Sequence, residues 1–134
     1  MPLPSVLLLI PAYNEEGRIG PTLRRYASHF REHYAGPFEL VVVVNGCRDN
    51  TLGVVETVER EFDCIRHIVI PERVGKGGAL IEGLRLAPRA ELIGYADADG
   101  ATEPASLLGL VAHCRDYVCV VGSRRVAGAV IHQS

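Results

Sequence analysis

No apolar run in the sequence approaches the roughly 20 residues that a membrane-spanning helix needs, so the chain is expected to be soluble. It is also poor in what nucleic-acid binding requires. Phe numbers three, Tyr five and Trp none, which leaves little for base stacking, and 14 Lys and Arg stand against 16 Asp and Glu. A net charge of -2 gives no basic field to grip a polyanion, so nucleic acid is excluded as a partner. The four cysteines, Cys47, Cys64, Cys114 and Cys119, form no CxxC pair and lie in or beside apolar runs. That is the pattern of reduced thiols in a cytosolic protein. The apolar stretch at 6–10 is too short, and lacks the basic flank, for a signal peptide. His29, His33, His67, His113 and His132 have no metal-ligand spacing, and His67 and His113 fall inside elements as satisfied side chains. No repeat, low-complexity tract or linker interrupts the chain. What remains is 134 residues with 48% hydrophobic and 22% charged content, which suits one packed domain over 1–134.

Short, β-branched-rich apolar runs at 5–11 (SVLLLIP), 38–45 (FELVVVVN), 65–70 (IRHIVI), 92–96 (LIGYA) and 117–121 (YVCVV) read as strands buried on both faces. Helical spacing separates them. Ile19, Leu23, Tyr26 and Phe30 form one stripe; Val55, Val58 and Phe62 a second; Leu80, Ile81 and Leu84 a third. Leu107, Leu110, Val111 and Cys114 form a fourth, behind Thr102 as an N-cap and Pro104 in the first turn. The order βαβαβαβαβ predicts an α/β fold with a mostly parallel central sheet and helices on both faces. Ligands of such sheets bind beyond the carboxyl ends of the strands. Each polar cluster follows a strand: Asn14 to Glu16, Asn45 to Asp49, Arg73 to Gly78, Asp97 to Asp99, and Ser123 to Arg125.

In an extended segment, residues two apart point the same way with Cα atoms about 6 to 7 Å apart, so Asp97 and Asp99 can face one ligand together. Two carboxylates suit a hard divalent cation, Mg²⁺ or Mn²⁺, whose remaining ligands come from a diphosphate. The plainer alternative is a turn at Asp99-Gly100 with Asp97 capping the strand. In Pro11-Ala12-Tyr13-Asn14-Glu15-Glu16, Tyr13 offers a ring face and Glu15 an acceptor to a nucleobase; an ordinary strand-to-helix turn capped by Asn14 explains the same residue types. Asn45 can donate to and accept from a base edge, whereas Asp49 and Thr51 read as turn and cap residues. Gly75-Lys76-Gly77-Gly78 opens a helix where free N–H groups and the Lys76 charge favour phosphate. It is neither a Walker A loop nor GxGxxG, since Leu80 stands where the third glycine belongs, so kinase-like and dinucleotide-binding readings lose their motifs. Arg124 and Arg125 are candidates for bidentate phosphate contact or plain solvated charges.

The ordered set IPAYNEE, VVVVNGCRDNT, GKGGALIEGL, YADADG and VGSRR, from about residue 8 to residue 124, resembles the family 2 inverting glycosyltransferases of the GT-A (nucleotide-diphospho-sugar transferase) fold, especially the dolichyl-phosphate mannosyl- and glucosyltransferase branch. The resemblance implies that Pro11, Ala12, Tyr13 and Glu15 surround the uracil or guanine of a UDP- or GDP-linked sugar, with Lys76 near the nucleotide. Asp97 matches the residue near the ribose and metal, Asp99 the one holding the metal on the diphosphate, and Arg124 an arginine tied to phosphate binding in the lipid-phosphate branch. It also implies Mg²⁺ or Mn²⁺ as cofactor, a polyprenyl phosphate at the membrane surface as acceptor, and a cytoplasmic protein peripheral to the membrane. Two departures stand out. Val44-Asn45-Gly46-Cys47 replaces Asp-Asp-Gly-Ser, so the carboxylate that commonly reads the base is missing. The chain stops at Ser134, where relatives continue into an acceptor-binding part, so 1–134 is expected to be the donor-binding domain without it.

The implied reaction transfers a sugar to an acceptor oxygen, with Asp97 and Asp99 as catalytic residues through the metal and Lys76 neutralising the departing diphosphate. No general base is evident, and a phosphate acceptor, already anionic, needs none. Alternatives are a nucleotide-sugar-binding fragment without turnover, a nucleotidyltransferase lacking its glycine-rich signature, and, last, a dehydrogenase.

Overall fold

The computed structural model describes residues 3–87, 89–113 and 130–132. The elements are β1 (Val6–Ala12), α1 (Ile19–His33), β2 (Phe38–Asn45), α2 (Thr51–Glu59), β3 (Ile65–Ile70), α3 (Gly75–Leu86), β4 (Leu92–Tyr95), α4 (Pro104–His113) and β5 (Val130–His132). The first four strands and four helices lie where the apolar spacing puts them. The strand expected at 117–121 lies outside the described residues, and β5 was not expected.

One sheet runs in the order β3-β2-β1-β4-β5. β1 pairs in parallel with β2 and with β4, and β2 in parallel with β3, while β5 runs antiparallel to β4. The sheet is thus mostly parallel, as expected. Because side chains alternate across a strand, Val6, Leu8 and Ile10 face one side and Leu7 and Leu9 the other, and both sets are buried. Two cores result. On one face Val6, Leu8, Ile10, Leu40, Val42 and Val44 pack against α1 (Ile19, Leu23, Tyr26, Phe30), α2 (Val55, Val58) and α4 (Leu107, Val111). On the other, Leu7, Leu9, Val41 and Ile93 meet α3 through Leu80. Helices covering both faces explain why β1 and β2 read as unbroken apolar runs.

The apolar pattern of α3 misled in one respect. Its buried residues are Ala79 and Gly83, whereas Ile81 and Leu84 are 65% and 44% exposed. A Cβ at Gly83 would come within 3.2 Å of Leu9 and Val43, so the helix lies against the sheet on its smallest residues and turns larger ones outward.

β1 to β3 step outward in one direction with α1 and α2 on the same face; α3 then crosses the other face and delivers β4 to the free side of β1. The strand order therefore reverses at β1, the position where such sheets open a crevice beyond their carboxyl ends. Among the described residues no helix is long and apolar enough to cross a membrane.

Candidate functional site

A cleft of ≈ 270 Å³ opens at that reversal. β1 and the loop after it contribute Pro11, Ala12, Tyr13 and Glu15, and the end of β2 contributes Asn45. The turn into α3 adds Arg73, Gly75 and Lys76, and the segment after β4 adds Asp97, Ala98 and Asp99. Every site residue expected from the sequence and lying in the described part of the chain therefore lines one cavity. Arg124 lies outside the described residues.

The β1 and β2 loops brace each other. Asn14, with a left-handed φ of 50°, accepts at its side-chain oxygen from the backbone N–H groups of Arg48 (2.8 Å) and Asp49 (3.4 Å). It thus ties two loops together instead of capping α1, whose N-cap is Arg18, without a side-chain cap bond. The Glu15 N–H donates to the Thr51 hydroxyl (2.8 Å) and the Glu16 N–H to Asp49 Oδ2 (3.2 Å). Asp49 also accepts from the Thr51 N–H (3.0 Å) and hydroxyl, a turn just ahead of α2, whose N-cap is Asn50 rather than Asp49. Burial pushes the Asp49 carboxyl upward, but the bonds from Thr51 and nearby backbone N–H groups outweigh it and hold the group below the usual carboxylate range. The Glu15 carboxylate takes a two-pronged bond from Arg18 at 2.7 and 2.8 Å, so a base would share it with that guanidinium.

Asn45, 3% exposed, stitches β2 to the turn before α3: its oxygen accepts from the Val74 N–H (2.8 Å) and its amide donates to the Gly75 carbonyl (3.2 Å). Gly46 follows with φ 60°, and a Cβ there would sit 2.6 Å from the Arg73 nitrogen. Only glycine allows this turn and this approach.

The Arg73 guanidinium lies 4.2 Å from the centroid of the Tyr13 ring. In the sequence Arg73 belongs to the cluster after β3 without a motif of its own; its one signal is a position three residues before Lys76 in PERVGK. Lys76 Nζ pairs with Asp97 Oδ1 and stands 5.4 Å from the Tyr95 ring centroid. Asp99 is exposed, and its Oδ1 accepts from the Ala101 N–H (3.0 Å), the turn foreseen as the plainer alternative. That bond engages one carboxylate oxygen and is compatible with a ligand on the other.

Among the described residues no three His, Cys, Asp or Glu side chains gather as a metal cage. A zinc-type site, which takes three or four protein ligands, does not fit. Two carboxylates beside a lysine fit a hard cation that shares its coordination with a bound diphosphate.

Residues 7–133 match the family model described as glycosyl transferase family 2. Glycosyltransferase AglD of Haloferax volcanii is 35% identical over 123 residues, covering 90% of this chain and 20% of that protein. The dolichyl-phosphate beta-glucosyltransferase of Saccharomyces cerevisiae is 36% identical over 101 residues, covering 72% of this chain and 30% of its own length. The chain thus spans less than a third of either relative. Among solved structures, mannosyltransferase PcManGT from Pyrobaculum calidifontis, in complex with GDP-Man and Mn²⁺, superposes with a TM-score of 0.76 at 21% identity, over 97% of this chain and 45% of that one. This last likeness is one of fold, the GT-A arrangement expected from the sequence.

Proposed function

The chain belongs to glycosyl transferase family 2, and on that premise we propose that it is the donor-binding part of a metal-dependent, inverting glycosyltransferase that moves a sugar from a UDP- or GDP-linked donor to a polyprenyl phosphate. The observation that carries this reading is the meeting of Tyr13, Lys76, Asp97 and Asp99, from three separate segments, in one cleft.

In this reading the base lies on the β1 side, against Tyr13, whose ring is already covered by Arg73. Asn45 shapes the floor and offers its remaining amide proton and lone pair. Asp97 and Asp99 would hold Mg²⁺ or Mn²⁺, which when bound supplies positive charge to the donor diphosphate. Lys76, now paired with Asp97, would neutralise charge on the same diphosphate as the sugar–phosphate bond breaks. The acceptor oxygen forms its bond to the anomeric carbon from the opposite side, and the nucleoside diphosphate leaves. The carboxylates of Glu15 and Asp97 are held by Arg18 and Lys76, which ill suits either as a general base. An anionic phosphate acceptor requires none. The name of the yeast relative supports that acceptor class, and such an acceptor puts the reaction at a membrane surface.

The test is a transfer assay on the full-length protein with labelled UDP- and GDP-linked hexoses, dolichyl phosphate and Mn²⁺. The expected result is label in the lipid phase, lost with Asp99→Asn. Transfer only to hydroxyl acceptors would overturn the acceptor assignment. Release of pyrophosphate from a nucleoside triphosphate would overturn the reaction class in favour of nucleotidyl transfer.

A further inference from the structure

Beyond Ala96, whose N–H donates to the Leu9 carbonyl (3.0 Å), the acidic segment has no strand neighbour among the described residues. Its own bonds are local: Gly100 N–H to the Asp97 carbonyl (3.2 Å) and Ala101 N–H to Asp99. From outside, Lys76 of α3 pairs with the Asp97 side chain, and α1 holds the backbone. The Thr22 hydroxyl lies 3.0 Å from the Ala98 carbonyl and 2.9 Å from that of Arg18, the Arg25 guanidinium donates to Gly100 (3.0 Å), and the Tyr26 hydroxyl donates to Thr102 (2.6 Å). Three polar groups on one helix face thus meet the carbonyls of every second residue, bracketing Asp99 and following directly on Asp97, with the single Thr22 proton shared between the Ala98 and Arg18 carbonyls.

Thr22 and Tyr26 are 3% and 0% exposed. A buried hydroxyl costs stability unless it is bonded, and Val and Phe would fill the same volumes without that demand. The two hydroxyls therefore contribute what packing alone does not: a fixed backbone path for the loop. Gly100 sits so close that a Cβ would lie 2.9 Å from Thr22 Oγ1.

We propose that Thr22, Arg25 and Tyr26 are positioning residues that set the placement of Asp97 and Asp99 for a cation and diphosphate. The loop that enters α1 carries Tyr13 and Glu15, so the same helix also fixes the distance between the base side and the acidic side of the cleft. This inference rests on the donor-site reading above.

The experiment measures UDP and GDP affinity with and without Mn²⁺ for the wild type, Tyr26→Phe, Thr22→Val, Arg25→Gln and Asp99→Asn. Arg25 is 46% exposed, so its variant folds even if the buried ones suffer. Groups that orient metal ligands typically contribute about 10- to 100-fold; the expected result is an Mn²⁺-dependent gain reduced about 10-fold in Tyr26→Phe and Thr22→Val and less in Arg25→Gln. Affinity without metal should stay within about twofold, because the base side is untouched. If Asp99→Asn removes the metal-dependent gain while the three α1 variants retain it, the positioning role is wrong and the donor-site reading stands. Equal losses with and without metal in Arg25→Gln would also overturn it, pointing to general loosening. If Asp99→Asn itself changes nothing, both readings fall.

Discussion

The two sides of the cleft are built by different means. On the β1 side two loops interlock through their own turn residues: Asn14 holds the backbone of Arg48 and Asp49, and Asp49 and Thr51 hold that of Glu15 and Glu16. On the β4 side the acidic loop has little bracing of its own and leans on a helix face that precedes it by about 76 positions in the chain. Loops that brace one another can be set by short-range chemistry; the acidic loop borrows its geometry from the core. The base side should therefore tolerate damage to the acidic side, and the metal response should be the more fragile property.

The largest effect expected is that of Asp99→Asn on nucleoside-diphosphate binding in the presence of Mn²⁺: a loss on the order of 100-fold by calorimetry, with metal-free affinity unchanged. An equal loss without metal would erase the distinction between the two sides. Next comes Gly46→Ala, which forces a side chain into a left-handed turn and against the Arg73 backbone. A destabilisation of about 2 kcal/mol is expected in urea unfolding, together with weaker binding even without metal, because the turn that carries Arg73 and Lys76 must move. Lys76→Ala should weaken diphosphate binding about 10-fold while leaving the nucleoside alone unaffected, a difference read by titrating uridine beside UDP. The smallest effect concerns pH. Burial pushes the Tyr26 hydroxyl up to about 12 from an ordinary value of 10.0. The folded protein then keeps a proton that the unfolded chain has lost, so stability falls as pH rises from about 10 towards about 12. Tyr26→Phe should lack that part of the fall in thermal unfolding; identical slopes would show that the hydroxyl is not held as described.

This division also decides how much could be read in advance. β1 and β2 were legible because strands buried on both faces leave unbroken runs of Val, Leu and Ile, whereas β3, expected to be buried likewise, lies at the sheet edge with Arg66 and Val69 exposed; the clusters that follow the strands were legible because parallel strands end on one edge. Asp49 and Thr51 were legible as turn residues, although the N-cap of α2 is Asn50. Asn14 was misread, because a residue able to cap a helix can equally accept from a neighbouring loop, and only the fold brings Arg48 and Asp49 within reach. The outward face of α3 was misread for a related reason: helical spacing marked Ile81 and Leu84, but close approach to the sheet selects Ala79 and Gly83. Arg73 carried no motif beyond its proximity to Lys76. Thr22 and Arg25 carried none at all, and Tyr26 was counted simply as part of an apolar stripe; their partners lie far along the chain.

Whether the cleft takes the nucleoside diphosphate of a sugar donor together with a cation can be read from calorimetric titration of the wild-type protein with UDP, GDP, ADP and CMP, each with and without Mn²⁺. UDP or GDP is expected to bind best, and to bind more tightly with Mn²⁺. Affinities that ignore the metal, with no preference for either nucleoside diphosphate over ADP and CMP, would contradict it.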